Sequence, residues 1–288
     1  MARVLLVGIA TLDLIFGVDH YPAEDEEMRA QTLRVVRGGN GANTAVVLSQ
    51  LGHQVSFAGV LADAPENQIL LEDFRRFGVD VSHCVTRPGK PPTSSILVAP
   101  SGSRTIVHYR DLPEFGYEDF ARIDLTGFDW IHFEGRNIPE LAKMIGHARS
   151  VRPDLKISLE AEKPRDGLDA VLGLPDLLLC SRALAQHFGH AEATPFLHGM
   201  RAKAPQAAIF VGWGSQGAFA LDSENRIRES PAFPPAEVVD SVGAGDTFNA
   251  GVIDGWLRGL STENTLLAAS EMAGKKCGRD GFDLLIIT

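Results

Sequence analysis

Arg3-Val4-Leu5-Leu6-Val7-Gly8-Ile9 is a run of aliphatic and β-branched residues with no polar alternation after Arg3. Such a run reads as a strand buried on both faces, the kind that lies inside a parallel sheet. Comparable apolar runs recur at 55–60, 130–133, 156–159, 177–179 and 207–211. Between them stand helical patterns. One covers 43–51, with Ala45, Val46, Leu48 and Leu51 apolar; others cover 67–77 and 138–149. Strand and helix in alternation predict an α/β fold: a mainly parallel central sheet flanked by helices on both faces.

Two pieces break that rhythm. Residues 12–18 and 28–36 read as strands around the polar turn Pro22-Ala23-Glu24-Asp25-Glu26-Glu27. Residues 94–99 and 104–109 flank Pro100-Ser101-Gly102-Ser103, a hairpin signal. Neither piece has a helix of its own. They predict a small antiparallel β sheet inserted, from about 12–36 and 94–110, at one edge of a single domain spanning 1–288. Asp25 and Arg110 stand at its margins, which favours a lid over a plain meander; a dimer surface is its other use.

The 288 residues suffice for the core of an enzyme. Hydrophobic residues make up 44% and charged ones 22%, with a net charge of −10 and no basic run, so nucleic acid and anionic membrane are not expected partners. The three cysteines are scattered and odd in number, which points to a reducing, cytoplasmic setting. No apolar stretch has the length of a signal peptide or a membrane span.

Chemistry concentrates in Asp240-Ser241-Val242-Gly243-Ala244-Gly245-Asp246-Thr247-Phe248-Asn249-Ala250-Gly251, just before helical spacing begins. Free N–H groups at a helix start attract anions. An aspartate at the same spot repels a bare anion, so its expected work is to take a proton from a nucleophile beside one, as phosphoryl transfer to a hydroxyl requires. A glycine loop with an aspartate cap is the bland alternative. The second cluster is Val36-Arg37-Gly38-Gly39-Asn40-Gly41-Ala42-Asn43. Its glycines admit a ligand close to the backbone, and its asparagines suit sugar hydroxyls or a helix cap at Asn43. Asp13 follows the first strand, where ligands of parallel sheets collect.

Gly212-Trp213-Gly214-Ser215-Gln216-Gly217 matches a dinucleotide fingerprint in form, but Ala218-Phe219-Ala220-Leu221 reads as a strand where the fingerprint needs a helix. NAD is therefore not expected, although a glycine turn beside a nucleotide is. Glu160, Glu162 and Lys163 either line a site or pair with one another, and Lys275 and Lys276 are expected on a solvated helix face. Nine histidines include no His-Glu-x-x-His pair for zinc.

Together, Gly38-Gly39-Asn40 with Asn43 and the 240–248 stretch resemble the two signatures of the ribokinase (PfkB) family of sugar kinases. Trp130-Ile131-His132-Phe133-Glu134-Gly135-Arg136-Asn137, Glu162-Lys163-Pro164-Arg165, Ser101-Gly102-Ser103-Arg104-Thr105-Ile106, Ala273-Gly274-Lys275-Lys276-Cys277-Gly278 and Gly281-Phe282-Asp283 are most similar to its ketohexokinase branch. The resemblance implies ATP-dependent phosphorylation of a ketohexose such as fructose to fructose 1-phosphate. The alternatives are another sugar or a nucleoside as acceptor, or a non-catalytic sensor. It implies Asp246 as base and Gly243, Ala244 and Gly245 as anion hole. Asp13, Gly39, Asn40, Asn43 and Arg136 would hold the sugar, with Asp25 reaching it from the lid of its own subunit or of a partner. Gly214 and Gly217 would border the nucleotide, and Arg110 would face its phosphates. It also implies ATP with Mg2+, in many members a monovalent cation such as K+, and a homodimer through the lid. Where many members carry Asn-x-x-Glu, this chain reads Cys180-Ser181-Arg182-Ala183-Leu184, so the resemblance names no metal ligand.

Overall fold

A computed structural model describes residues 1–283. In chain order it runs β1 (Arg3–Val7), β2 (Thr11–Gly17), β3 (Thr32–Gly38), α1 (Asn40–Gln50), β4 (Gln54–Ala58), β5 (Val60–Ala62), α2 (Asn67–Arg76), β6 (Val85–Arg87), β7 (Thr93–Val98) and β8 (Arg104–Tyr109). Then follow α3 (Tyr117–Phe120), β9 (Trp130–Glu134), α4 (Ile138–Val151), β10 (Lys156–Ala161), β11 (Leu177–Ser181), α5 (Arg182–His187), α6 (Ala193–Lys203), β12 (Ala208–Gly212), β13 (Ala218–Leu221), β14 (Ile227–Ser230), α7 (Ala244–Leu257) and α8 (Thr262–Cys277).

Eight strands form the main sheet in the order β14-β13-β12-β11-β10-β9-β1-β4. All neighbours from β12 to β4 are parallel, and β13 and β14 close one edge antiparallel. The uninterrupted apolar runs are buried because both faces are covered: one core contains Leu5, Ile131, Leu159 and Val211, the other Leu6, Trp130, Leu179 and Phe210. Alternate residues of each strand thus serve opposite cores. The expected α/β architecture is observed. The 212–217 glycines lead into the antiparallel strand β13, as the reading against a dinucleotide fold required.

A second sheet has the order β3-β2-β7-β8. Its outer pairs are antiparallel hairpins, but β2 and β7 run parallel, so the expected antiparallel sheet carries one parallel seam. The strand expected at 28–36 shifts too: β3 begins at Thr32, not at 28, because β2 offers pairing partners only up to Gly17. Likewise the run 55–60 divides into β4 and β5 at Gly59, where a Cβ would press on the Gly8 carbonyl, and β5 pairs with β6 instead of the main sheet.

Candidate active site

The carboxyl ends of β1, β9 and β10 converge with the starts of α1 and α7. Helix α1 begins at Asn40, three residues before the expected start at 43, because Gly39 takes φ 95° and turns the chain early. Asn43 is therefore no cap. It lies one turn inside α1, buried, with both ends of its amide used. Its Oδ1 accepts from Arg37, and its Nδ2 donates to Asp246 Oδ2 at 2.6 Å. Arg37 is itself buried, bonded through Nε to Asp73 at 2.5 Å and sandwiched near the rings of Phe74 and Phe282. The chain Arg37–Asn43–Asp246 settles which way the Asn43 amide faces, so its NH2 group meets the acid.

Asp246 occupies the first turn of α7. Gly243 caps that helix at φ 82°, and a Cβ there would collide with the Phe282 ring. Thr247 N–H makes the first bond to a carbonyl four residues back, that of Gly243, at 2.9 Å. The amides of Gly245 and Asp246 stand at the open end of the helix, while that of Ala244 bends to the Ser241 carbonyl at 3.4 Å. A Cβ on Gly245 would meet nothing within 4 Å. The helix start thus has donors, a favourable dipole and free space for an anion. Burial pushes Asp246 up to about 7, with Glu162 and Glu134 adding to the rise while the Asn43 hydrogen bond and Arg37 oppose it. Such a group can both accept and release a proton near neutrality.

Around the acid lie carboxylates in unlike settings. Glu134 and Glu160 end adjacent strands directly opposite one another. Glu134 Oε2 accepts from Ile9 N at 2.9 Å and Gly41 N at 3.3 Å, and its Oε1 pairs with Arg136 at 3.3 Å. Glu160 Oε1 accepts from Asn40 at 3.1 Å and Asn249 at 2.9 Å, whereas its buried Oε2 has no partner. Burial, then the charges of Asp246, Glu134 and Glu162, raise Glu160 well above the usual carboxylate range. Asn40 also donates to Glu162 at 3.0 Å, and Lys163 pairs with Glu162 at 3.4 Å, so both alternatives for that stretch are realised. On β2, buried Asp13 accepts from Thr11 Oγ1 at 2.8 Å; Gly38 makes room for it, since a Cβ there would collide with the carboxylate. Burial raises Asp13 as well. Ser94 and His108 sit in cross-strand register with Asp13 and bond each other at 3.2 Å.

The expected site residues fall into three groups. Asp13, Gly39, Asn40, Asn43 and Asp246 come together with Gly243, Ala244 and Gly245. Arg136 joins them through Glu134, and Glu114 binds both Arg136 and Arg110. Arg110 thus belongs to the end of β9, whereas Gly214 and Gly217 lie at the end of β12, three strands or about 14 Å across the sheet. Beside those glycines is a cavity of about 310 Å3 lined by Glu192, Thr194, Trp213, Gln216 and Phe219 among others. Asp25 stands apart on an exposed turn at φ 63°. Sequence reasoning assigned no role to Arg37, Glu134 or Asn249. The available signal was a carboxylate closing each of two apolar strands, at 134 and 160.

Lys276 is the clear correction. Lys275 is exposed as expected, but Lys276 is 0% exposed and bonds the Asp240 carbonyl at 2.9 Å. The helical pattern of α8 placed it on the outer face; the 240–243 loop and Phe282 cover that face.

Buried acids at the ends of the parallel strands thus face a glycine-opened helix with an acid in its first turn. The chain belongs to the pfkB family of carbohydrate kinases, whose description matches residues 1–285. It is 40% identical over 294 residues to the ketohexokinase of Mus musculus, with 99% of each chain covered. It is 26% identical to the fructoselysine 6-kinase of Shigella flexneri, over 90% of this chain and 93% of that one. Among solved structures, Arabidopsis thaliana ribokinase complexed with ribose and ATP shares the fold at a TM-score of 0.80 and 19% identity, covering 97% of this chain and 94% of the other. The protein is a carbohydrate kinase of ribokinase-like fold.

Proposed function

We propose that the chain phosphorylates a hydroxyl of a ketohexose of the fructose kind, giving fructose 1-phosphate from fructose and ATP. The observation that carries the proposal is Asp246: a buried acid raised to about 7, held by Asn43, beside open helix amides. The likeness to a ketohexokinase over the full chain supports the choice of sugar. Asp13, Asn40 and Arg136 bind and orient the sugar, with the Gly39 backbone leaving it room. Asp246 takes the proton of the attacking hydroxyl as its oxygen bonds the γ-phosphorus and the bond to ADP breaks. The Gly243–Gly245 turn stabilises charge on the transferring oxygens; one such donor contributes about 100- to 1000-fold in rate. Gly214 and Gly217 border the nucleotide, and Arg110 answers charge on the phosphate side.

Among the described residues no group of three His, Cys, Asp or Glu side chains is placed to hold a metal ion. Mg2+ bound with ATP would neutralise charge on its phosphates. A monovalent cation such as K+ is a further activator by family resemblance. The second sheet acts as a lid and as the seam of a homodimer. Its outward face exposes Leu33 at 56%, Val107 at 68% and Tyr109 at 57%, and such a patch marks an interaction surface. In that dimer Asp25 reaches the partner's sugar. No helix among the described residues is long and apolar enough to cross a membrane; with three free cysteines, a cytoplasmic setting fits.

ADP release with fructose, tagatose, ribose and adenosine tests the acceptor, and phosphorus NMR of the product from fructose identifies the hydroxyl. Adenosine as the sole good acceptor, or ligand-induced thermal shifts with no ADP formed, overturns the assignment.

A further inference from the structure

Among the buried charges without a task in phosphoryl transfer is one ammonium. Lys276 sits in the last turn of α8, wholly shielded from water. A buried ammonium is costly unless it is paired and fully hydrogen-bonded. Its partners converge on one place. Nζ donates to the Asp240 carbonyl at 2.9 Å, lies 3.3 Å from Asp240 Oδ2, reaches the Arg279 carbonyl at 3.4 Å and sits 5.4 Å from the Phe282 ring centroid. Asp240 is where the turn toward the α7 start begins. Its Oδ1 accepts from Val242 N at 2.9 Å, so the carboxylate shapes the turn from within. Its Oδ2 receives Gly281 N at 3.4 Å and Arg34 at 3.3 Å, and Arg34 belongs to β3 of the second sheet. The backbone amides of Val239 and Asp240 are tied in turn to the Cys277 carbonyl next to Lys276. Phe282, which the ammonium faces, also blocks the space beside Gly243. One ammonium thus touches the carbonyl, the carboxylate and the packing ring that together fix residues 240–243. The cavity beside Trp213 and the apolar face of the second sheet offer no comparable convergence of charge on the reacting end of α7.

We propose that Lys276 is a positioning residue for phosphoryl transfer: a tethered internal cation that, through Asp240, holds the 240–245 turn so that the α7 amides aim at the transferring group. Arg34, on the same carboxylate, links that turn to the second sheet. The proposal rests on the reading that the α7 start receives the phosphoryl group. It assigns Lys276 to the rate of transfer and not to sugar binding, because Lys276 touches none of Asp13, Asn40 or Arg136.

The test compares K276A, K276M and the charge-balanced K276M/D240N with wild type, measuring kcat, KM for fructose and thermal unfolding of each. Displacement of reacting groups by about 1 Å costs on the order of 100-fold, so kcat of K276A is expected to fall roughly 10- to 100-fold with KM for fructose within about threefold. Ammonium or potassium chloride, which can enter the vacated space, raises kcat of K276A at least about fivefold more than it raises that of wild type, whereas tetramethylammonium chloride at equal ionic strength, too large to enter, does not. Should K276A fail to fold, K276M/D240N, which leaves no unpaired carboxylate, carries the test and is expected to lose about tenfold in kcat. A folded variant with kcat within twofold of wild type, a loss confined to KM for fructose, or a loss indifferent to small cations overturns the role of Lys276. In each of those cases an inactive D246N keeps the kinase site as described; a fully active D246N removes the site itself.

Discussion

Helices α1 and α7 both begin at a glycine with positive φ, Gly39 at 95° and Gly243 at 82°, and in neither does a side chain cap the start. Their open ends are used differently. The start of α1 is filled from within: Glu134 Oε2 accepts from Gly41 N, and Asn40 is engaged by Glu160 and Glu162. Among the described residues the start of α7 donates no such bond to another element's carboxylate, and a Cβ on Gly245 meets no atom within 4 Å. Two helix starts opened by glycine thus have unlike surroundings. One holds the protein's own carboxylate; the other has the open space in which the proposed phosphoryl group would sit. Two bonds join the ends: Asn43, on the first helix, donates to the Asp246 carboxylate on the second at 2.6 Å, and Thr44 Oγ1 donates to the Asp246 carbonyl at 3.4 Å.

That contrast can be broken at several points. The largest effect is expected from D246N, which removes the base but keeps size and fold. Turnover should fall at least about 1000-fold, within the range of general bases, while ATP binding by calorimetry persists. Near-normal turnover would take Asp246 out of the chemistry. Next comes the same change at both helix starts. G245A places a methyl group in open space, so its melting temperature should stay within about 2 °C of wild type while kcat drops on the order of 100-fold. G39A forces a left-handed backbone on alanine and drives Cβ into the Ile9 carbonyl oxygen, so it should melt earlier, by about 1–3 kcal/mol of stability. If G245A were the unstable one and G39A the stable, inactive one, the two starts have been assigned the wrong way round.

E134Q should sharpen the comparison from the other side. It takes the charge from the α1 start and leaves Arg136 with Glu114 alone, so stability falls by about 1–3 kcal/mol in denaturant melts and KM for sugar rises. The smallest effect is in pH. Asp246 must be ionised to act, so log kcat should climb with pH through about 7 and level off above it. Stability should move the other way. Burial raises Asp13, Glu134, Glu160 and Asp246 above their unfolded values. Their stabilising contribution is therefore complete below the unfolded values and is lost as pH rises through the folded ones. The free protein should melt at a lower temperature at pH 8 than at pH 6, and D246N should flatten that slope; an unchanged slope would place the linkage elsewhere.

Much of this was legible from the residue order because it rests on local rules. Continuous apolar runs such as 3–9 and 207–211 can be satisfied only inside a covered parallel sheet, and Gly243 to Asp246 spell a helix start with an acid in its first turn. The hairpin at 100–103 follows from turn chemistry. Asp25 and the lid dimer stay proposals, since one subunit does not bring Asp25 to the site.

What the chain order left undecided is what long-range contact decides. Periodicity placed Lys276 on the outer face of a helix, and only the return of residues 240–243 over that face makes it a buried ammonium. Asn43 read as a cap or a sugar ligand; Gly39 takes the cap, and Arg37 and Asp246, the latter 203 positions away, fix which way its amide faces. Amino-acid order determined the elements and put an acid in the first turn of α7, because backbone geometry and burial pattern act over a few residues. Tertiary structure decided which charges are dry, paired and raised, because desolvation and ion pairing depend on neighbours that no local window contains.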